Sequence, residues 1–254
     1  MTPPDLGQLA PECAVRASPS EPYKFGHNRR RPQFSRRLVG LLPSFVLGPL
    51  ALLFAASGAS AGTALAPFTS SVDPVSAVQL GGTWHAGCPI GPAALRAVHV
   101  LFYGFDRRSH PGTLVVQASV SAEVITVFRE LYAARFPIRQ MVPESAFGGK
   151  DPASMAADNT SGFNCRYAVA TGPKQWSVHA YGEAIDVDPL ENPYLFDGDP
   201  EPAAGKAYLN RGEVRPGMAV AGGTLVKAFS SVGWLWGGRW SASPDYQHFS
   251  KTGG

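Results

Sequence analysis

The tightest constraint in this chain is a spacing. His179 and Asp186 stand seven residues apart with Gly182 between them, in the stretch Ser177-Val178-His179-Ala180-Tyr181-Gly182-Glu183-Ala184-Ile185-Asp186-Val187-Asp188-Pro189. Residues 183–188 alternate, with Ile185 and Val187 on one face and Ala184, Asp186 and Asp188 on the other, which is the period of a half-buried strand. An unbroken strand would send His179 and Asp186 to opposite faces, because their separation is odd. For both to work in one place the chain must turn between them, and Gly182 accepts the backbone angles a turn needs. The expectation is a loop or single helical turn over Ser177–Tyr181, then a strand that buries Ile185 and Val187 and points Asp186 at a cleft.

Far downstream, Asp245-Tyr246-Gln247-His248 supplies a second carboxylate and a second histidine. Two histidines and one aspartate are the protein ligands of an open zinc site, with the fourth position left for water. On this reading His179, Asp186 and His248 hold the metal, and Asp245 is free to handle protons. Taken singly, each is an ordinary polar residue at a turn, and Asp245 is a turn cap after Pro244. Taken together, they point to a zinc centre.

The two motifs, Ser-x-His-x-x-Gly-x-Ala-x-Asp and a late Glu/Asp-x-x-His, resemble those of the D-alanyl-D-alanine metallopeptidases. That family includes vancomycin-resistance D,D-peptidases, bacterial D,D-carboxypeptidases and phage L-alanyl-D-glutamate endolysins. Every fixed position of the first motif is matched from Ser177 to Asp186. In the second, Asp245 replaces the commoner Glu and is one methylene shorter. The resemblance runs from about Trp84 to Phe249. It implies a Zn2+ peptidase with Asp245 as general base and then acid. It also implies an arginine, Arg166, that meets the developing oxyanion or a substrate carboxylate, tasks that suit a guanidinium; the alternative for Arg166 is a structural salt bridge. Ser177 and Tyr181 are expected at the substrate, with Trp236 and Trp240 either in the cleft or in the core. The implied activity is hydrolysis of a peptide bond in peptidoglycan stem peptides, D-alanyl-D-alanine carboxypeptidase-like. The alternatives are an L-Ala-D-Glu-type endopeptidase and a non-catalytic zinc-bearing wall-binding module, since hedgehog signalling domains share this fold and metal site.

The remainder of the chain bears on location and partners. Residues 1–37 hold seven Lys/Arg against three Asp/Glu, and the rest holds fifteen against sixteen, so the net charge of +3 belongs to the N-terminus. No basic stripe remains for nucleic acid. Residues 1–61 read as a disordered N-terminus plus a signal peptide: Arg29 to Arg37 form the positive region, Leu38–Ala56 the apolar run, and Ala59-Ser60-Ala61 the cleavage site. Ser35-Arg36-Arg37 fits twin-arginine export. An uncleaved anchor is the alternative, and the only membrane contact foreseen. Either way the domain is secreted or held at the cell envelope, and a monomer is expected. Cys13 precedes the cleavage site, leaving Cys88 and Cys165 as an even pair in an exported domain, read as a disulfide.

Residues 62–80 read as a linker and 81–254 as the catalytic domain. Ala97–Phe105 and Thr113–Ala118 suggest a hairpin whose turn contains a solvated His110. Ser121–Arg135 suggests a helix capped by Ser119 or Ser121. Ile138–Val142 and Phe163–Ala168 suggest strands, and Asp151–Ala157 a short helix. Asn192–Gly217 reads as a loop or lid, Thr224–Val232 as a helix, and Trp234–Trp240 with Tyr246–Ser250 as closing strands. Strands and helices mix without βαβ alternation, so the class is α+β. The expected form is a small antiparallel sheet with flanking helices and the zinc cleft on the sheet.

Overall fold

Two long apolar-alternating strands anchor the domain. β1 (Ser70–Pro74) is followed by a one-turn helix α1 (Ala77–Leu80), then β2 (Leu95–Gly104) and β3 (Ser109–Gln117). Along β2 the residues Val98, Val100 and Phe102 are buried at alternating positions, as the period of two requires, while Leu95 is buried on the opposite face in a smaller cluster. β2 and β3 pair antiparallel from Leu95↔Gln117 to Tyr103↔Ser109. The structure, a computed structural model, describes residues 65–169 and 173–253; the N-terminal segment read as signal or anchor lies outside the described residues. No helix among the described residues is long and apolar enough to cross a membrane.

α2 (Ser121–Ala133) lays Val124, Val127, Phe128, Leu131 and Tyr132 on one buried stripe, spaced as a core-facing helix demands. Neither serine caps it: the cap position is Val120, with no side-chain bond. β4 (Pro137–Ile138) and β5 (Gln140–Met141) follow, then α3 (Asp151–Ala156) and β6 (Asn159–Thr160). The chain continues through β7 (Ala184–Asp186), β8 (Tyr194–Phe196), β9 (Asp199–Glu201), α4 (Thr224–Ser231), β10 (Leu235–Trp236) and β11 (His248–Ser250). The class is α+β, but one small antiparallel sheet is the wrong count. β1, β2, β3 and β4 form one sheet, β10-β11-β7 a second, and β5-β6 and β8-β9 two ribbons. The strand expected at Ile138–Val142 is split, because Ile138 pairs with β2 while Met141 pairs with β6.

Other expectations are corrected by hydrogen bonding. The stretch read as a linker contributes β1, which pairs with β2 from Ser70↔Val100 to Pro74↔Arg96. His110 lies in β3, not in the turn; it bonds Asp106 at 2.8 Å and stacks on Phe102. Phe163–Ala168 is irregular rather than a strand. Its first amides go to different neighbours, Phe163 N to Val115 O, Asn164 N to His179 O and Cys165 N to Thr83 O, and only a single bridge, Tyr167 to Trp176, forms at its end. The expected loop at Asn192–Gly217 contains the β8–β9 hairpin and a 3-10 turn at Ala203–Tyr208. Asp197 and Gly198 both have positive φ, +50° and +90°, as a two-residue hairpin turn with φ > 0 at both positions requires.

One hydrophobic core joins the large sheet, α2, α4 and the β7–β11 pair through Val98, Phe128, Ile185, Phe229, Trp234 and Phe249. A smaller cluster of Leu80, Leu95, Val115, Phe163 and Cys165 lies under Trp84 and Trp176. It is closed by the Cys88–Cys165 disulfide, which spans 77 residues. A loop of that size is worth roughly 4–5 kcal/mol in the chain-entropy model and often less in practice.

The core's hold on the ligand-bearing strands can be measured at Phe249. It is fully buried, stacks on Phe229 at 4.1 Å, and faces Ile185 across β11 and β7. Phe249→Ala is expected to lower unfolding free energy by about 3–5 kcal/mol, read from urea unfolding. A loss under about 1 kcal/mol would mean these strands are held by something other than the core.

Candidate metal centre and cleft

Three local devices bring three side chains together. First, β7 and β11 pair antiparallel with Asp186 directly opposite His248, so the two side chains leave the same face as neighbours. Second, residues Val178–Tyr181 form a single 3-10 turn ending at Gly182, whose φ is +68°. That left-handed residue reverses the chain, and a Cβ there would come within 2.6 Å of Gln117 N, so both backbone angle and space call for glycine. The turn delivers His179 to the face that carries Asp186. Third, Ser177 starts the turn and its Oγ accepts from His179 N at 3.3 Å, a cap in the usual sense.

The geometry that results is tight. His179 Nε2 lies 3.1 Å from Asp186 Oδ2, His248 Nδ1 lies 3.1 Å from Asp186 Oδ1, and the two ring nitrogens are 3.2 Å apart. All three residues are buried. His179 Nδ1 donates to the carbonyl of Gly162 at 2.7 Å, which leaves Nε2 of the neutral ring as a lone pair aimed at a carboxylate. Two acceptors facing each other in a buried site repel, and a cation between them removes the conflict. The donor set fits zinc: bonds of about 2.0–2.2 Å make a tetrahedron with edges of about 3.3–3.5 Å. The carbonyl behind His179 is the support that metal-binding histidines commonly have. It depends on Gly162, where a Cβ would come within 2.5 Å of Val115 O.

Electrostatics follow the same contacts. Burial opposes ionisation of Asp186, but the adjoining histidines outweigh it and hold the carboxyl well below the usual range. Burial lowers His179's affinity for a proton, yet the Asp186 charge more than offsets that and raises its pKa. His248 goes the other way, with burial dominant and its pKa lowered. Asp245 is pushed well above the usual carboxylate range by burial and then by the charge of Asp186.

Asp245 sits in the same cleft, 8% exposed, with Oδ1 buried and without a hydrogen-bond partner among the described residues. Its backbone is fixed on both sides: its N–H donates to Gly237 O at 3.1 Å, and it bridges to Tyr194 of β8. Gly237 permits that approach, since a Cβ there would lie 2.9 Å from Asp245 O and 3.2 Å from His248 Cβ.

The cleft has a volume of about 190 Å³ and is lined by His179, Asp186, Asp245, His248, Arg166 and Ser177, among others. Arg166 lines the cleft and pairs with Asp151 at 3.0 Å. Trp240 lines the cleft and lies over His248 at 5.3 Å between ring centroids, whereas Trp236 belongs to the core. Tyr181 is a correction. It is 37% exposed and absent from the cleft lining, because the 3-10 turn that points His179 inward carries Tyr181 outward. Cleft residues not anticipated from sequence include Asp151, Trp176, Tyr194, Glu201 and Gln247. The Asp197-Gly198 dipeptide was the signal for two of them, since it builds the hairpin that carries Tyr194 and Glu201. A larger cavity of about 330 Å³ lies by the β2–β3 turn, but no such ligand cluster among the described residues converges on it. Among the described residues the other cluster at ligand distances is His85, Cys88 and Cys165, whose sulfurs are joined in the disulfide.

No curated protein and no solved structure matches the chain. A family model does: the one described as D-alanyl-D-alanine carboxypeptidase matches residues 171–251, about a third of the chain. The match contains His179, Asp186, Asp245 and His248, and over this stretch the chain is similar to the D-alanyl-D-alanine carboxypeptidase family.

Proposed function

We propose that this protein is an exported zinc peptidase that hydrolyses a peptide bond in peptidoglycan stem peptides. The observation that carries the reading is the convergence of His179, Asp186 and His248 in one cleft with Asp245, inside the stretch matched by a carboxypeptidase family model. The Cys88–Cys165 disulfide supports an oxidising compartment. His179 Nε2, His248 Nδ1 and an Asp186 oxygen would hold the metal. A zinc ion there supplies Lewis-acid chemistry, polarising a carbonyl and making water more acidic.

The chain's own groups do the rest. Asp245 takes a proton from the attacking water and returns it to the leaving amine, so one carboxylate serves both halves of the reaction. Arg166 stands at the same cleft with its Asp151 pair holding the guanidinium in place. There it offers positive charge to the oxygen that becomes anionic as the bond is attacked. Ser177 acts on His179 through the turn it caps.

Defined muropeptides incubated with the full chain and read by mass spectrometry test the function. Release of terminal D-alanine is the expected result. A cut between L-alanine and D-glutamate would assign the endopeptidase alternative, and intact peptides bound without cleavage would assign a non-catalytic module. Arg166 has its own test. Arg166→Ala is expected to lower kcat about 10²–10³-fold with little change in KM, the mark of an interaction made in the transition state. Arg166→Lys is expected to recover part of that loss. A rise in KM alone would instead place a ground-state carboxylate on Arg166.

A further inference from the structure

The cleft holds a carboxylate that the mechanism does not use. Glu201, on β9, lines it, and among the described residues no cation pairs with Glu201. Every other carboxylate in the cleft is accounted for. Asp151 is tied to Arg166, Asp186 lies between the two histidines, and Asp245 handles the proton. Glu201 is therefore excess negative charge on one wall.

Its neighbour completes the arrangement. Glu201 is the direct cross-strand partner of Tyr194 in the β8–β9 hairpin, so carboxylate and phenol ring leave the same face of the ribbon. Both line the cleft and both are half-buried. The hairpin is fixed to the site by Leu195 N donating to Pro244 O at 2.9 Å and by the Tyr194–Asp245 bridge. The surroundings are acidic enough that burial, Asp245, Glu201 and Asp197 together raise the pKa of the Tyr194 phenol. An aromatic face beside a carboxylate recognises a compact cation: the ring attracts it through its quadrupole and the carboxylate takes its hydrogen bonds.

We propose that Glu201 and Tyr194 form the seat for a primary ammonium group of the substrate, close to the bond that is cut. This deepens the peptidase reading of the same cleft and rests on it. Two sources carry that chemistry: the side-chain amine of a diamino acid within a stem peptide, and the free α-amine of a short peptide.

The test uses the full chain and the pentapeptide L-Ala-γ-D-Glu-L-Lys-D-Ala-D-Ala in four forms, with the α-amine and the lysine amine each free or acetylated. Cleavage is followed with the wild type, and binding by calorimetry with Asp245→Asn in the presence of zinc. Acetylating the recognised amine is expected to weaken binding and kcat/KM about 10- to 100-fold, the range of a hydrogen bond to a charged group. Glu201→Gln is expected to cause the same loss on the free-amine peptide, and the two changes together to cost no more than either alone. Which acetylation matters identifies the source. Tyr194→Leu is expected to produce a further loss confined to the free amine, with thermal melting confirming that both variants fold. Equal cleavage and binding of all four peptides by the wild type would overturn the ammonium seat and leave the peptidase reading intact. Glu201-dependent binding without cleavage of any form would overturn the peptidase reading and keep the seat. Neither binding nor cleavage would overturn both.

Discussion

Asp245→Asn is expected to lose about 10²–10⁴-fold in kcat on a defined muropeptide, with KM, zinc content and fold retained. The amide has the shape of the carboxylate, and the backbone at this position is held independently by Gly237 and by the bridge to Tyr194. What the substitution removes is a proton acceptor. That atom matters here because Asp245 Oδ1 is buried and makes no hydrogen bond to the described protein, so it is not spent on structure. A structural carboxylate in this place would have its oxygens paired, since burying an unpaired acceptor is costly. Asp245→Glu, which keeps a carboxylate one methylene longer, is expected to keep more activity than Asp245→Asn. Zinc analysis and circular dichroism of each variant separate loss of chemistry from loss of site. If Asp245→Asn stays within a few-fold of the wild type, another group takes the proton, and Glu201 is the first candidate in the cleft.

The His179–Asp186 half of the candidate ligand cluster was legible in the sequence because it is local. The odd spacing demands a turn, and Gly182 makes it; the strand read over residues 183–188 is shorter, Ala184–Asp186, and Ala184, Asp186 and Asp188 are buried along with Ile185 and Val187, because both of its faces are covered. Burial of Ile185 and Val187 followed from the alternation over those residues. What could not be read depends on partners distant in sequence. Phe163–Ala168 has a strand's composition, but its first amides find Val115, His179 and Thr83 instead of a neighbouring strand. Tyr194 and Glu201 reach the cleft only because β8 runs beside Pro244 and Asp245, about fifty residues on. Nothing in the composition of 192–217 announces that contact, although Asp197-Gly198 does announce the hairpin. Tyr181 shows the opposite failure: it lies inside the motif, and the turn that makes the motif work faces it outward.

His179→Ala is expected to reduce zinc from about one per chain to well below that, and activity to background. The argument is geometric. Three side chains whose ligand atoms all lie within 4.8 Å of one another can hold a metal by sharing it, and two of them, Asp186 and His248, leave an incomplete seat. Removing a ligand outright should exceed the about 10–100-fold loss in affinity that follows removal of a ligand's supporting partner. The substitution also leaves the Gly162 carbonyl without its donor, so part of the loss is structural, and His179→Gln serves as a bulkier control. A readout independent of activity follows from linkage. Metal that binds only the folded state raises the melting temperature in proportion to the logarithm of its concentration once in excess. Zinc added to chelator-treated wild type should therefore raise Tm and restore cleavage, and in His179→Ala it should do neither. Full zinc occupancy in His179→Ala would show that the ligands lie elsewhere. Within the described residues the other cluster at ligand distances is His85 with Cys88 and Cys165, and its two sulfurs are already committed to each other.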